Sequence, residues 1–206
     1  MRHIIILFFF SSISLFGQEA TSNNHLFFKP EIGGGYSLWQ AQTPDGNFKG
    51  NGPNFNINLT PYYNYKNLIL GISYGYERVQ IDTLINTTNA FSYGTGFKNN
   101  YVSFNKVSLV IGYNIIRREK ITIGTTVRFG TYRLDKSFDN KLIKNKLIAD
   151  AGLDLSYILS DRIALFIQPN FGYKYYKLNG DLIGGQNINH RITSFNCFLG
   201  LNFKIL

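Results

Sequence analysis

From Arg191 to Leu206 the chain reads as two interleaved rows. Phe195, Cys197, Leu199, Leu201, Phe203 and Ile205 form one row, and every member is apolar. Asn196, Phe198, Gly200, Asn202 and Lys204 form the other, which is mostly polar or small. A period of two places the rows on opposite faces of a strand. A strand with one wholly apolar face and one polar face closes a barrel, either soluble or in a membrane. The rest of the chain decides between them.

The same period recurs in seven earlier runs, over residues 26–40, 53–65, 68–82, 99–115, 121–135, 147–159 and 163–177. The second run is the cleanest. Phe55, Ile57, Leu59, Pro61, Tyr63 and Tyr65 face one way, and Asn54, Asn56, Asn58, Thr60, Tyr62 and Asn64 the other. The connections between runs alternate in length. Polar loops are expected over residues 41–52, 83–98, 136–146 and 178–190, and tight turns at Lys66-Asn67, 117–120 and 160–162. Alternating short turns and long loops are the habit of outer-membrane barrels. Runs of this length also exceed the roughly 9–11 residues that a tilted strand needs to cross an apolar layer.

A soluble barrel would turn its apolar row inward. Here the less apolar row carries charges of both signs and many glycines, which suits an interior. Tyrosines mark the ends of the runs. Tyr63, Tyr65, Tyr113 and Tyr157 fall at one end, and Tyr74, Tyr76, Tyr173 and Tyr175 at the other. Two such belts are expected at the two interfaces of a membrane. The fold class expected is therefore all-β: a closed, eight-stranded, antiparallel up-and-down transmembrane barrel.

Residues 1–17 read as a secretory signal. Arg2 and His3 precede an apolar run of 13 residues from Ile4 to Phe16, short for a spanning helix. Cleavage is expected after Gly17, with Ala20 as the alternative. Residues 18–25 form a short periplasmic leader and residues 26–206 the barrel domain. The formal net charge is +9, but Lys and Arg are scattered singly, without a basic helix or zinc motif. That excludes nucleic acid as the expected partner and favours acidic lipid headgroups or lipopolysaccharide.

The eight alternating runs and the closing stretch Phe198-Leu199-Gly200-Leu201-Asn202-Phe203-Lys204-Ile205 resemble small outer-membrane β-barrel proteins. These include the OmpA transmembrane domain, OmpX and the porin-like barrels of Bacteroidota. Gly200, Phe203 and Ile205 resemble the terminal signal read by the barrel-assembly machinery, which the resemblance implies as a partner during insertion. It also implies an integral place in the outer membrane of a Gram-negative envelope. It does not select an activity, since that family includes anchors, adhesins, secretion components and enzymes.

An eight-stranded barrel is just wide enough for side chains to fill it, so charges inside must pair. The inward charges are Glu31, Glu77, Lys106, Arg128, Asp150, Asp154, Lys174 and Lys204. Counting from the loops sets Glu77 beside Lys106 and Arg128 beside Asp150. Glu31 and Lys204 are expected to meet where the barrel closes. The expectation is a plugged interior with no continuous pore, serving a structural, binding or assembly role, with an unidentified envelope protein as a further partner. A narrow porin-like channel is the alternative that reads these charges as an ion path.

The enzymatic alternative is a lipid A or phospholipid-modifying barrel, which needs a nucleophile within reach of a base. His190, at the end of the fourth loop, is the suitable histidine. Ser194 shares its face but lies roughly 13 Å along the strand, so Ser92 or Ser137 would have to supply the nucleophile. The plainer reading of His190 is an exposed loop residue. The lone Cys197 falls on the apolar row and allows no internal disulfide. No metal-ligand spacing or phosphate loop is present, and no cofactor is expected. Gly33-Gly34-Gly35 reads as a close-packed strand and Gly184-Gly185 as a loop. The basic loop over residues 136–146 reads as a solvated loop or as a site for lipopolysaccharide phosphates.

Overall fold

The computed structural model describes residues 24–43, 46–80, 83–86, 92–94, 101–134, 143–178 and 188–205. The expected signal, most of the leader, Ser137 and the greater part of the third and fourth loops lie outside them. Among the described residues the strands are, in chain order, β1 (Asn24–Thr43), β2 (Gly46–Tyr65), β3 (Leu68–Gln80), β4 (Thr83–Asn86), β5 (Ser92–Gly94), β6 (Tyr101–Arg117), β7 (Ile121–Leu134), β8 (Ile143–Ser160), β9 (Ile163–Leu178) and β10 (Ile188–Lys204).

Eight of them close a barrel. β1, β2, β3, β6, β7, β8, β9 and β10 each pair antiparallel with their neighbours, and β1 pairs with both β2 and β10. Closure leaves the eight-stranded sheet without a free edge strand, which an apolar solvent requires. The short strands β4 and β5 pair with each other. β4 joins the top of β2 at Phe48↔Asn86 and Lys49↔Ile85.

Burial follows residue parity as the alternation predicts, and it is inside out relative to a soluble barrel. Phe195 is 59 % exposed, Ile32 53 % and Leu109 53 %, whereas Asn56 and Ser37 are fully covered. These outward side chains form a continuous apolar band of Ile, Leu, Phe and Tyr around the barrel. A soluble protein does not leave so large an apolar surface in water. Cys197 is exposed on this same face.

Three tight connections match expectation: Lys66-Asn67, residues 118–120 and Asp161-Arg162. Lys66 takes the left-handed conformation (φ 55°) that a two-residue hairpin asks of its first residue. The first long loop is corrected. Residues 41–52 are mostly strand, because β1 and β2 stay in register up to Thr43↔Gly46. This polar ribbon projects beyond the apolar band. β8 and β10 also begin earlier than expected, at Ile143 and Ile188.

One ladder stops short. β7 and β8 pair from Ile121↔Tyr157 up to Gly130↔Ile148. Above that, β7 continues on β6 to Phe104↔Leu134, and β8 continues on β9 to Ile143↔Leu178 across an irregularity between Lys144 and Leu147. Asn145 sits in this irregularity with φ 54°.

Candidate functional site: the charged lumen

The inward row of an eight-stranded barrel has nowhere to go but the axis. Among the described residues, four cations are buried there (Lys29, Lys106, Arg128 and Lys174) together with four carboxylates (Glu31, Glu77, Asp150 and Asp154). The signs balance, as burial of charge demands.

Two clusters form. In the first, Glu77 from β3 lies between Lys106 of β6 at 2.9 Å and Lys174 of β9 at 2.7 Å. The Lys106 ammonium also donates to Asn56 Oδ1 at 2.8 Å. Lys174 meets the other carboxylate oxygen, Oε1, as an ion pair. In the second, Arg128 Nη2 of β7 crosses the barrel to both oxygens of Glu31 on β1, at 2.6 and 2.7 Å. Lys29 reaches Glu31 at 3.2 Å and Asp154 of β8 at 2.5 Å. Gln168 completes this cluster. It accepts from Arg128 at 3.2 Å, and donates to Asp154 at 3.1 Å and to Thr126. The Lys29 ammonium also stands 3.9 Å from the Phe166 ring centroid, a cation–π contact inside the wall.

Glycine makes room for this chemistry. A Cβ at Gly75 would stand 2.1 Å from Asn58 Oδ1 and 3.2 Å from Lys106 Cε. At Gly33 a Cβ would meet the Phe198 ring at 2.5 Å. The glycine run of β1 is therefore a close-packed wall.

The expected pairs are met unevenly. Glu77 and Lys106 pair as the residue count implied. Arg128 and Asp150 are register partners, but the guanidinium turns across the barrel to Glu31, and Asp150 makes no ion pair among the described residues. Glu31 and Lys204 do not meet. Gly200 stands opposite Glu31 and Phe27 opposite Lys204, so Lys204 is half-buried four residues further along β10. Four residues of strand are roughly 13 Å, beyond the reach of a direct pair.

Above the ions the lumen changes character. Trp39, Val79, Val102, Phe104, Tyr132, Ile148, Tyr176 and Ile192 belong to one buried apolar cluster. His190 belongs with them and is not an exposed loop residue. β10 starts at Ile188, so His190 falls on the inward row and is 4 % exposed. Trp39 Nε1–H donates to His190 Nδ1 at 2.9 Å, and the imidazole stacks on Tyr176 at 4.5 Å between centroids. Ser194 lies lower on the same face, where its hydroxyl accepts from Lys174 at 3.4 Å. Below the ions a cavity of about 110 Å³ opens among Lys29, Tyr62, Arg117, Arg128, Asp154 and Asn202.

A closed barrel, greasy outside and charged inside, is the architecture of an outer-membrane barrel, and solved structures agree. Outer membrane protein AlkL, determined in DMPC lipid bilayers, superposes with a TM-score of 0.55 over 92 % of this chain and 94 % of its own, at 13 % identity. Outer membrane protein OprG from Pseudomonas aeruginosa gives a TM-score of 0.51 over 89 % of this chain and 97 % of its own, at 10 % identity. The fold is that of a small outer-membrane β-barrel. No family profile matches the chain, and no curated sequence matches it. At these identities the likeness concerns fold alone.

Sequence reasoning missed the apolar cap of the lumen. Its members lie on the inward faces of separate strands, Trp39 of β1 and Ile192 of β10 among them. Their gathering at one end follows from register, which a single strand does not display.

Proposed function

We propose that this protein is an integral outer-membrane barrel, delivered by its N-terminal secretory signal, with a closed lumen and a structural, binding or assembly role. The observation that carries this reading is the pair of ion clusters across the axis, Arg128–Glu31–Lys29–Asp154 and Lys106–Glu77–Lys174. Each cluster ties three strands together, β1, β7 and β8 in the first and β3, β6 and β9 in the second, and the apolar cluster around Trp39 fills the lumen beyond them. An ion entering would have to break contacts worth several kcal/mol. The partners that fit are the lipopolysaccharide bilayer, the barrel-assembly machinery during insertion, and an envelope protein meeting the β1–β2 ribbon.

Single-channel recording in planar bilayers tests it. The expected trace stays at the background of protein-free membranes. Stepwise openings that scale with salt would overturn the closed lumen and favour a narrow channel. The geometry supports this role over lipid A or phospholipid modification, because the Nδ1 of His190 is taken by Trp39 and its ring is packed against Tyr176 inside the wall.

A further inference from the structure

Among the described residues the wall turns no carboxylate outward at its ribbon end. The buried carboxylates of the wall all point inward. On the outer surface, near the end that carries the β1–β2 ribbon, the outward-facing charged residues among those described are all cations: Lys49, Arg78, Arg133, Lys144, Lys177 and Arg191. At one place two of them share a register row. Arg191 of β10 lies opposite Gln40 of β1, and Gln40 lies opposite Lys49 of β2. The next row up is Asn189, Gln42 and Asn47. The two rows line a hollow of about 330 Å³. Two strand spacings separate Arg191 from Lys49, about 10 Å between Cα atoms, and both line the hollow with Gln40 between them. Neither cation has an ion-pair partner among the described residues.

The hollow has a defined depth. One row down the same strands carry Thr193, Leu38 and Asn51, and the row below that carries Phe195, Tyr36 and Pro53. Leu38, Tyr36 and Phe195 are 44 %, 48 % and 59 % exposed on the lipid-facing side. Tyr36 donates its hydroxyl to Asn51 Oδ1 at 2.6 Å, as an interfacial tyrosine does. The cations thus stand just above the last apolar rows, at the level of headgroup phosphates. Arg grips phosphate through its forked donors and Lys as a point charge, while the amides of Gln40 and Gln42 can donate to the remaining oxygens.

We infer that the Arg191–Gln40–Lys49 row, with Gln42 and Asn189 above it, is a binding site for a phosphate of outer-leaflet lipopolysaccharide, with its acyl chains lying on Leu38, Tyr36 and Phe195. This rests on the outer-membrane reading and names a site within it. The partner is a multiply phosphorylated lipid, since a third cation, Lys177, stands opposite Asn189 on the next row up.

Native mass spectrometry of the full-chain protein released from detergent tests it, with purified lipopolysaccharide, enzymatically dephosphorylated lipopolysaccharide, phosphatidylglycerol and inorganic phosphate as separate probes. The wild type is expected to retain intact lipopolysaccharide. Lys49→Gln/Arg191→Gln is expected to retain it about tenfold less, the loss of one or two charge-assisted hydrogen bonds. The dephosphorylated lipid should bind the wild type as weakly as intact lipid binds the double variant. Arg118→Gln/Lys120→Gln, in a tight turn at the opposite end, should behave as wild type. Equal retention by the double variant, or equal retention of phosphatidylglycerol, overturns the site. So does displacement by millimolar inorganic phosphate. Both substituted side chains are exposed, and heat-modifiable mobility on gels confirms that the variants fold. A wild-type protein that failed to enter membranes or that conducted would defeat the underlying reading instead, before any variant was made.

Discussion

Arg128 grips Glu31 through a single nitrogen, and its Nε finds no hydrogen-bond partner. The pair is therefore strong in charge and incomplete in geometry. Arg128→Met should leave Glu31 dependent on Lys29, which also serves Asp154. An expected loss of about 3–5 kcal/mol follows from stranding a buried charge, read as a lower urea midpoint in lipid vesicles. Glu31→Leu in the same chain should recover most of it, because removing both partners leaves no stranded charge. At this scale the sequence revealed parity well. Seven of the eight charges expected inside are buried, Lys204 being half-buried and Lys29 taking the eighth place, and Glu77 and Lys106 could be paired by counting. Arg128 could not be assigned, since a count along a ladder finds neighbours on adjacent strands. The Glu31 carboxylate lies across the axis, where only closure and the length of an arginine arm bring the two together.

A strand interior can be tested at Gly75 in β3. A Cβ there meets Asn58 Oδ1 at 2.1 Å and crowds the Lys106 stem. Gly75→Ala should cost about 1–3 kcal/mol, the usual penalty of overfilling a packed interior, again as a shift of the urea midpoint. Gly34→Ala is a useful contrast, because its Cβ would lie on the outward row, where the nearest atom is Asn54 O at 3.1 Å. A much smaller shift is expected there. The same alternation explains what remained hidden at the level of elements. Strands were legible wherever one face was greasy. The ribbon from residue 41 to 52 has polar residues on its outer face, Gln42, Asn47 and Lys49 among them, so it read as a loop. Backbone pairing continues regardless of side-chain polarity, and the barrel ladder already beneath it supplies the nucleus. His190 was misplaced for the same reason, lying two residues inside a strand whose start is polar.

The whole barrel is layered along its axis. An aromatic cluster lies at the ribbon end, ions occupy the middle, and a cavity of about 110 Å³ lies at the end with the tight turns. The fold class was legible because eight runs, three short connections and two tyrosine belts all implied one closed sheet. The layering was not, because it depends on the stagger between strands. It has a spectroscopic consequence. Trp39 is the sole tryptophan of the chain and is 1 % exposed. It sits 6.1 Å from the Tyr176 ring and 5.6 Å from the His190 ring. Its emission should be blue-shifted and shielded from acrylamide, and it reports from one end of the molecule alone. Loosening of the aromatic layer would move the spectrum to the red, while occupation of the lower cavity would pass unseen. The barrel thus carries a native optical gauge at the end that bears the β1–β2 ribbon, with no label to attach.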